Sequence, residues 1–199
     1  MDRLLKITHG VSREAAFAGG CLMMIAAVAV SIDVILRKLF TVSLGGADEI
    51  AGYALAIGSA WSFGYALFER AHIRIDSLYE QLPARVRAAL DVVGLAALGA
   101  FMGLVLWHGW GVLAQSIRSN AHSMSALETP VAIPQAMWVA GFALFVAIAG
   151  LLLERALAAL ARGDLAAVTR LLGSRTAIEE TEEEIRAVVE ARSRDGSAP

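Results

Sequence analysis

The chain is 199 residues long, 57% hydrophobic and only 18% charged, with one cysteine and a formal net charge of −2. That balance excludes a nucleic-acid partner, which calls for a basic face. The lone Cys21 excludes an internal disulfide or a cysteine-rich metal site.

Four apolar stretches, about 15–36, 50–68, 92–116 and 129–153, organise everything else. As a helix each is long enough to cross ~30 Å of hydrocarbon, which takes about 20 residues. Residues 1–14 are short and basic, and the first apolar run is too long for a cleaved signal sequence, so it is predicted to remain as a membrane anchor. Ala18-Gly19-Gly20 before Cys21 has the look of a lipoprotein cleavage site, but most of the apolar run follows the cysteine. Cys21 is therefore read as a small thiol within the membrane.

The first stretch ends in Asp33 and Arg37, opposite charges one helical turn apart, whose side chains ease each other through the interface. Gly45 and Gly46 break the helix, and Asp48 and Glu49 open the next one, where the helix N-terminus favours negative charge. In the second stretch Gly52, Ala56, Ala60 and Gly64 follow at intervals of four, and the third carries Gly99 and Gly103. Such small side chains let another helix approach closely, whether a sister helix or another polypeptide. The loop that follows the second stretch places Leu78, Leu82 and Val86 on one helical face. This predicts a short amphipathic segment lying in the interface, with Pro83 starting the third span. Thr129-Pro130 and Ile133-Pro134 set the entry of the fourth span, since proline is tolerated at helix starts.

Beyond residue 155 the composition changes, and 177–194 is dense in glutamate and alanine. Ile178, Ile185, Val188 and Val189 form an apolar strip too narrow to fold alone. A marginal helix ordered by a partner and a solvated tail both fit it. The predicted architecture is all-α: a polytopic membrane protein with four transmembrane helices, a short interfacial helix and a cytoplasmic C-terminal tail. It divides into an N-terminus (1–14), a membrane domain (15–155) and the tail (156–199).

Charge sets the orientation. With the N-terminus inside, 14 Lys and Arg face the cytoplasm and 3 (Arg37, Lys38, Arg118) face outward. Both termini are then cytoplasmic, and Trp107, Trp110 and Trp138 fall in the outward halves of spans three and four, as an aromatic belt does.

Within the four stretches the only acidic, basic or imidazole side chains are Asp33 and His108. Haem ligation needs histidines at matched depth, yet His9, His72 and His122 lie outside the spans. His108, beside Trp107 and Trp110, reads as a polar group near the interface. A proton-coupled exporter needs a carboxylate deep in a span. No phosphate loop, metal-spaced histidine cluster or nucleophile–base pair is present, so the expected protein is not an enzyme.

Several marks then fall in order. Val34-Ile35-Leu36-Arg37 and Phe40 close span one, and Asp48-Glu49 opens span two. His72-Ile73-Arg74-Ile75-Asp76 and Leu82-Pro83 follow it, and Ser123, Ser125, Thr129-Pro130, Ile133-Pro134-Gln135 and Trp138 lead into span four. Over about residues 12–155 this set resembles the small integral membrane subunit, the DctQ-like Q component, of tripartite ATP-independent periplasmic (TRAP) transporters. The resemblance implies a bacterial inner-membrane importer of organic acids such as dicarboxylates. A large permease subunit carries the transport path, and a periplasmic substrate-binding protein delivers the cargo. A sodium gradient drives uptake. This chain carries no cofactor, and the ion sites belong to the large subunit. It acts as a scaffold for the permease, in contact with membrane lipid, and helps dock the binding protein. Arg37, Asp48 and Glu49 would lie on the periplasmic face near a partner, and His72, Arg74, Asp76 and Pro83 at the cytoplasmic surface. The alternatives are an independent small oligomeric transporter or channel, and a membrane anchor for a cytoplasmic complex.

Overall fold

A computed structural model describes residues 3–43, 45–70, 79 and 82–173. Most of the loop expected to hold the interfacial segment, 71–78 and 80–81, and the Glu-rich stretch within 174–199 lie outside the described residues. Val86, placed on that segment's face, belongs instead to the helix that begins at Ala84. Four long helices, α1 (Arg3–Phe40), α2 (Ala47–Phe68), α3 (Ala84–Arg118) and α4 (Ala132–Ala161), are each long and apolar enough to span a membrane. A fifth, α5 (Leu165–Leu172), follows α4 directly, where the sequence reads as the beginning of a mixed tail.

Helix ends follow from local chemistry. α1 stops at Phe40 because Thr41 turns left-handed (φ 56°), and Gly45 (φ 60°) and Gly46 (φ 127°) complete the reversal. The Gly46 backbone is open only to glycine. α3 closes in a Schellman-type turn, with the Ala121 amide donating to Ser116 and left-handed Asn120 between them. The same device ends α4, where Gly163 (φ 74°) precedes the Asp164 amide donating to Ala159. Asp164 then caps α5, its carboxylate accepting from the Ala167 amide at 2.9 Å. Pro83 immediately precedes α3, and Pro134 is buried in the first turn of α4.

The long helices pack in the order α1, α2, α4, α3, so α2 and α4 are inner and α1 and α3 are edges. Burial agrees: 17% of the apolar window of each edge helix is buried, against 28% for α2 and 33% for α4. In lipid the contacts that hold such a row are dispersion between closely fitted surfaces rather than exclusion of water. At one end α5 lies against α3 and α4, and Val168 and Leu172 join Ala88, Ala156 and Ala159 in the buried cluster. An eight-residue helix is marginal alone, and this packing holds it.

Candidate functional site

Three zones carry the side chains that chemistry singles out. The first is the rim at the end formed by 41–46 and 119–131. Asp33 is buried on α1; it accepts from the Arg37 guanidinium at 2.5 Å and from the Ser43 hydroxyl at 3.1 Å. Arg37 itself is exposed. The pair is thus the local ion pair that the sequence suggests, extended by Ser43 to fasten the turn after α1.

Glu49 is held by different partners. Its Oε1 accepts from the Tyr53 hydroxyl at 2.5 Å, and its Oε2 accepts from the Ser125 hydroxyl. Ser125 also receives the Leu127 amide on the same oxygen at 3.1 Å. One hydroxyl therefore joins the α3–α4 loop to the first turn of α2. The loop is folded on itself by Ser123 donating to Thr129 at 2.9 Å and Val131 donating to Ala121 at 3.0 Å. A Cβ on Gly46 would stand 2.5 Å from Leu127, so the loop lies flat on the start of α2. Of the three rim residues singled out in the sequence, Arg37 and Glu49 are engaged within the chain, and Asp48 is exposed. Met124, at 107% relative exposure, stands clear of the loop.

The second zone lies between the helices. The sequence stripe on α2 splits: Ala60 and Gly64 are buried, while Gly52 and Ala56 are exposed. A helix buries a stripe only where a neighbour lies, and α2 has neighbours on two sides. Toward α1 the close approach runs through Gly58, with a Cβ on Gly19 placed 3.0 Å from its backbone. Toward α4 it runs through Ala60, and a Cβ on Gly141 would stand 2.9 Å from that backbone. A Cβ on Gly99 would touch Ala149 at 3.7 Å, whereas one on Gly103 meets nothing within 4 Å.

Gly103 lines an apolar groove of about 570 Å³ between α3 and α4, together with Leu106, Trp107, Trp110 and Val139. Trp138, half-buried near the start of α4, packs against α3: a Cβ on Gly109 would lie 2.7 Å from its ring. His108 is the residue next to that contact on α3, and its side chain is exposed.

The third zone is the α5 end. His9 of α1 meets Glu69 at 3.4 Å and packs against Phe68 edge-on. Arg70 donates to the Gly173 carbonyl at 3.1 Å, fastening the exit of α2 to the end of α5. Tyr79 donates at 2.6 Å to Asp91, a carboxyl group only 2% exposed. His72, Arg74 and Asp76 lie outside the described residues, and Pro83 is exposed just before α3.

Among the described residues no group of three His, Cys, Asp or Glu side chains stands together as metal ligands. Hydrogen-bonded acids and bases gather at the two ends, and close helix contacts fill the middle. Residues 26–162, from within α1 to just past α4, match the family model of the DctQ component of tripartite ATP-independent periplasmic transporters. The chain belongs to the DctQ family. No curated protein and no solved structure matches it.

DctQ is the small permease component of these transporters. The matched region holds the rim, both inner helices and Asp91, and excludes His9, Gly19 and α5. Sequence reasoning missed Asp91 because it precedes the third apolar stretch by one residue. Sequence reasoning also missed the i,i+4 contact of Glu49 with Tyr53, and Ser125, 76 residues away, left no local signal.

Proposed function

We propose that this chain scaffolds the large permease subunit of a TRAP importer of organic acids, dicarboxylates or related carboxylates, and helps dock the periplasmic binding protein. The observation that carries the reading is the family match over 26–162. The placement of charge supports it. Asp33, Glu49, Glu69 and Asp91 are hydrogen-bonded acids near helix ends, and the middle of the row is given to close packing. That is an arrangement for holding a partner.

In this reading the rim carrying Arg37, Asp48 and Glu49 faces the periplasm of a bacterial inner membrane. Residues 1–14 and the tail 156–199 are then cytoplasmic, and α5 lies at that surface. Glu49 acts on docking through the loop it fastens, and Asp48 and Met124 are the groups presented to the binding protein. Sodium coupling and substrate choice reside in the other subunits.

Co-expression with a large permease subunit and a binding protein tests the proposal. A tagged chain should retain the large subunit in detergent, and organic-acid uptake by cells should require all three. Solute flux through liposomes that contain this chain alone would overturn it in favour of an independent transporter or channel.

A further inference from the structure

His108 occupies a position that the packing just described leaves unexplained. Its depth follows from the register of the row. The Gly109 backbone abuts Trp138 and Val139 of α4, and Gly141 of α4 abuts Ala60 of α2. Ala60 lies near the centre of α2, which spans Ala47–Phe68 and is about 33 Å long at ~1.5 Å per residue. His108 is therefore level with the middle of the shortest span. α3 runs from there a further ten residues to Arg118, about 15 Å at the same rise.

At that depth the imidazole is exposed, and it has no hydrogen-bond or ion-pair partner among the described residues. Hydrocarbon supplies none either, and a polar group left bare there costs free energy. Intramembrane histidines accordingly face protein or water rather than lipid tails. Two turns along the same face Gln115 is exposed, and between them Gly111 has nothing within 4 Å of an added Cβ. Ala97, Ala100 and Leu104 continue the face, all exposed. α3 is an edge helix, so nothing else in the row covers this side.

We propose that the His108 face of α3 is covered by a membrane-spanning helix of the large permease subunit, which hydrogen-bonds the imidazole near mid-bilayer. This rests on the small-subunit reading above. Lipid tails offer no hydrogen-bonding group. A second copy of this chain, related by a two-fold axis along the membrane normal, sets imidazole against imidazole. Two neutral rings share one hydrogen bond, leaving the second nitrogen of each bare. A subunit of different sequence can place polar side chains against both nitrogens, and Gly111 lets its backbone come close.

Photocrosslinking residues placed singly at Leu104 and Gly111, which flank His108, and at Met24 on the α1 edge test this in membranes holding the whole transporter. Crosslinks to the large subunit are expected from 104 and 111 and not from 24. Crosslinks from 104 and 111 to a second copy or to lipid, or to the large subunit from 24 alone, would overturn the proposal. As a second measurement, the tagged His108→Leu chain should retain roughly threefold less large subunit in detergent, the scale of one intramembrane hydrogen bond, and His108→Gln should restore it. Equal retention by the leucine variant counts against the imidazole. If the unaltered chain retains no large subunit, the small-subunit reading falls too. If it does and the crosslinks come from α1, only the α3 face falls.

Discussion

Replacing Gly141 by alanine should separate the two inner helices. Its new Cβ would lie 2.9 Å from the Ala60 carbonyl carbon and Cβ, where ordinary contact begins at 3.4 Å. Backbone cannot swing aside like a side chain, so α2 and α4 must part locally by about half an ångström. A gap of that size forfeits about a quarter of the dispersion well for each atom pair along the seam. It also strains the bond from Trp61 Nε1 to the Met137 carbonyl, 2.8 Å long and one turn away. Overpacking of this kind costs about 1–3 kcal/mol. The matched control is Gly150→Ala in the same helix, where an added Cβ meets nothing within 4 Å. Both changes gain the same helix propensity, about 1 kcal/mol, so it cancels in the comparison. Reversible unfolding in mixed detergent micelles, followed by circular dichroism, should place Gly141→Ala about 1–3 kcal/mol below Gly150→Ala. Equal stabilities would refute the claim that this glycine sets the spacing of α2 and α4.

Thr41→Gly should stabilise the chain by about 0.5–1 kcal/mol in the same assay, because a β-branched residue at φ 56° is strained and glycine is not; a loss of stability contradicts this. Tyr79→Phe removes the donor at 2.6 Å from Asp91 and should cost about 1–2 kcal/mol, whereas an unchanged midpoint would make that contact incidental. Glu49→Ala should release the α3–α4 loop, raising amide exchange at Ser123 and Val131 about tenfold, while Glu154→Ala, exposed on α4, leaves it unaltered. Protection that survives in the Glu49 variant would remove its fastening role.

The four spans, the break at Gly45-Gly46 and the start of α3 after Pro83 were legible because hydrophobic length and backbone-restricting residues act locally. Helix partners were not. Gly52, Ala56, Ala60 and Gly64 are equivalent by spacing, but only the last two meet a neighbour. That choice depends on α1 and α4 flanking α2, which no single segment encodes. Gly58, off that spacing, makes the contact with α1 instead. α5 was missed although Asp164 caps it and its leucines and alanines favour helix; eight residues are marginal alone, and packing beside Ala88 and Ala156 completes the stabilisation. The depth of His108 likewise needed the register between α3 and α4. The bordering Trp107 and Trp110 pointed to the interface, whereas the level of His108 follows from Gly109 meeting Trp138 and Val139 of α4.

A row one helix thick has no span screened from the bilayer on all sides; even α4 leaves most of its apolar window unburied. The shortest member is α2 with 22 residues, and its outer companion α1 has 38. In the chain by itself every member of the layer keeps apolar surface open, and a change in membrane thickness would act on helices of unequal reach at once. Shear between adjacent rods, rather than expansion of a common interior, is how such a sheet would register that change.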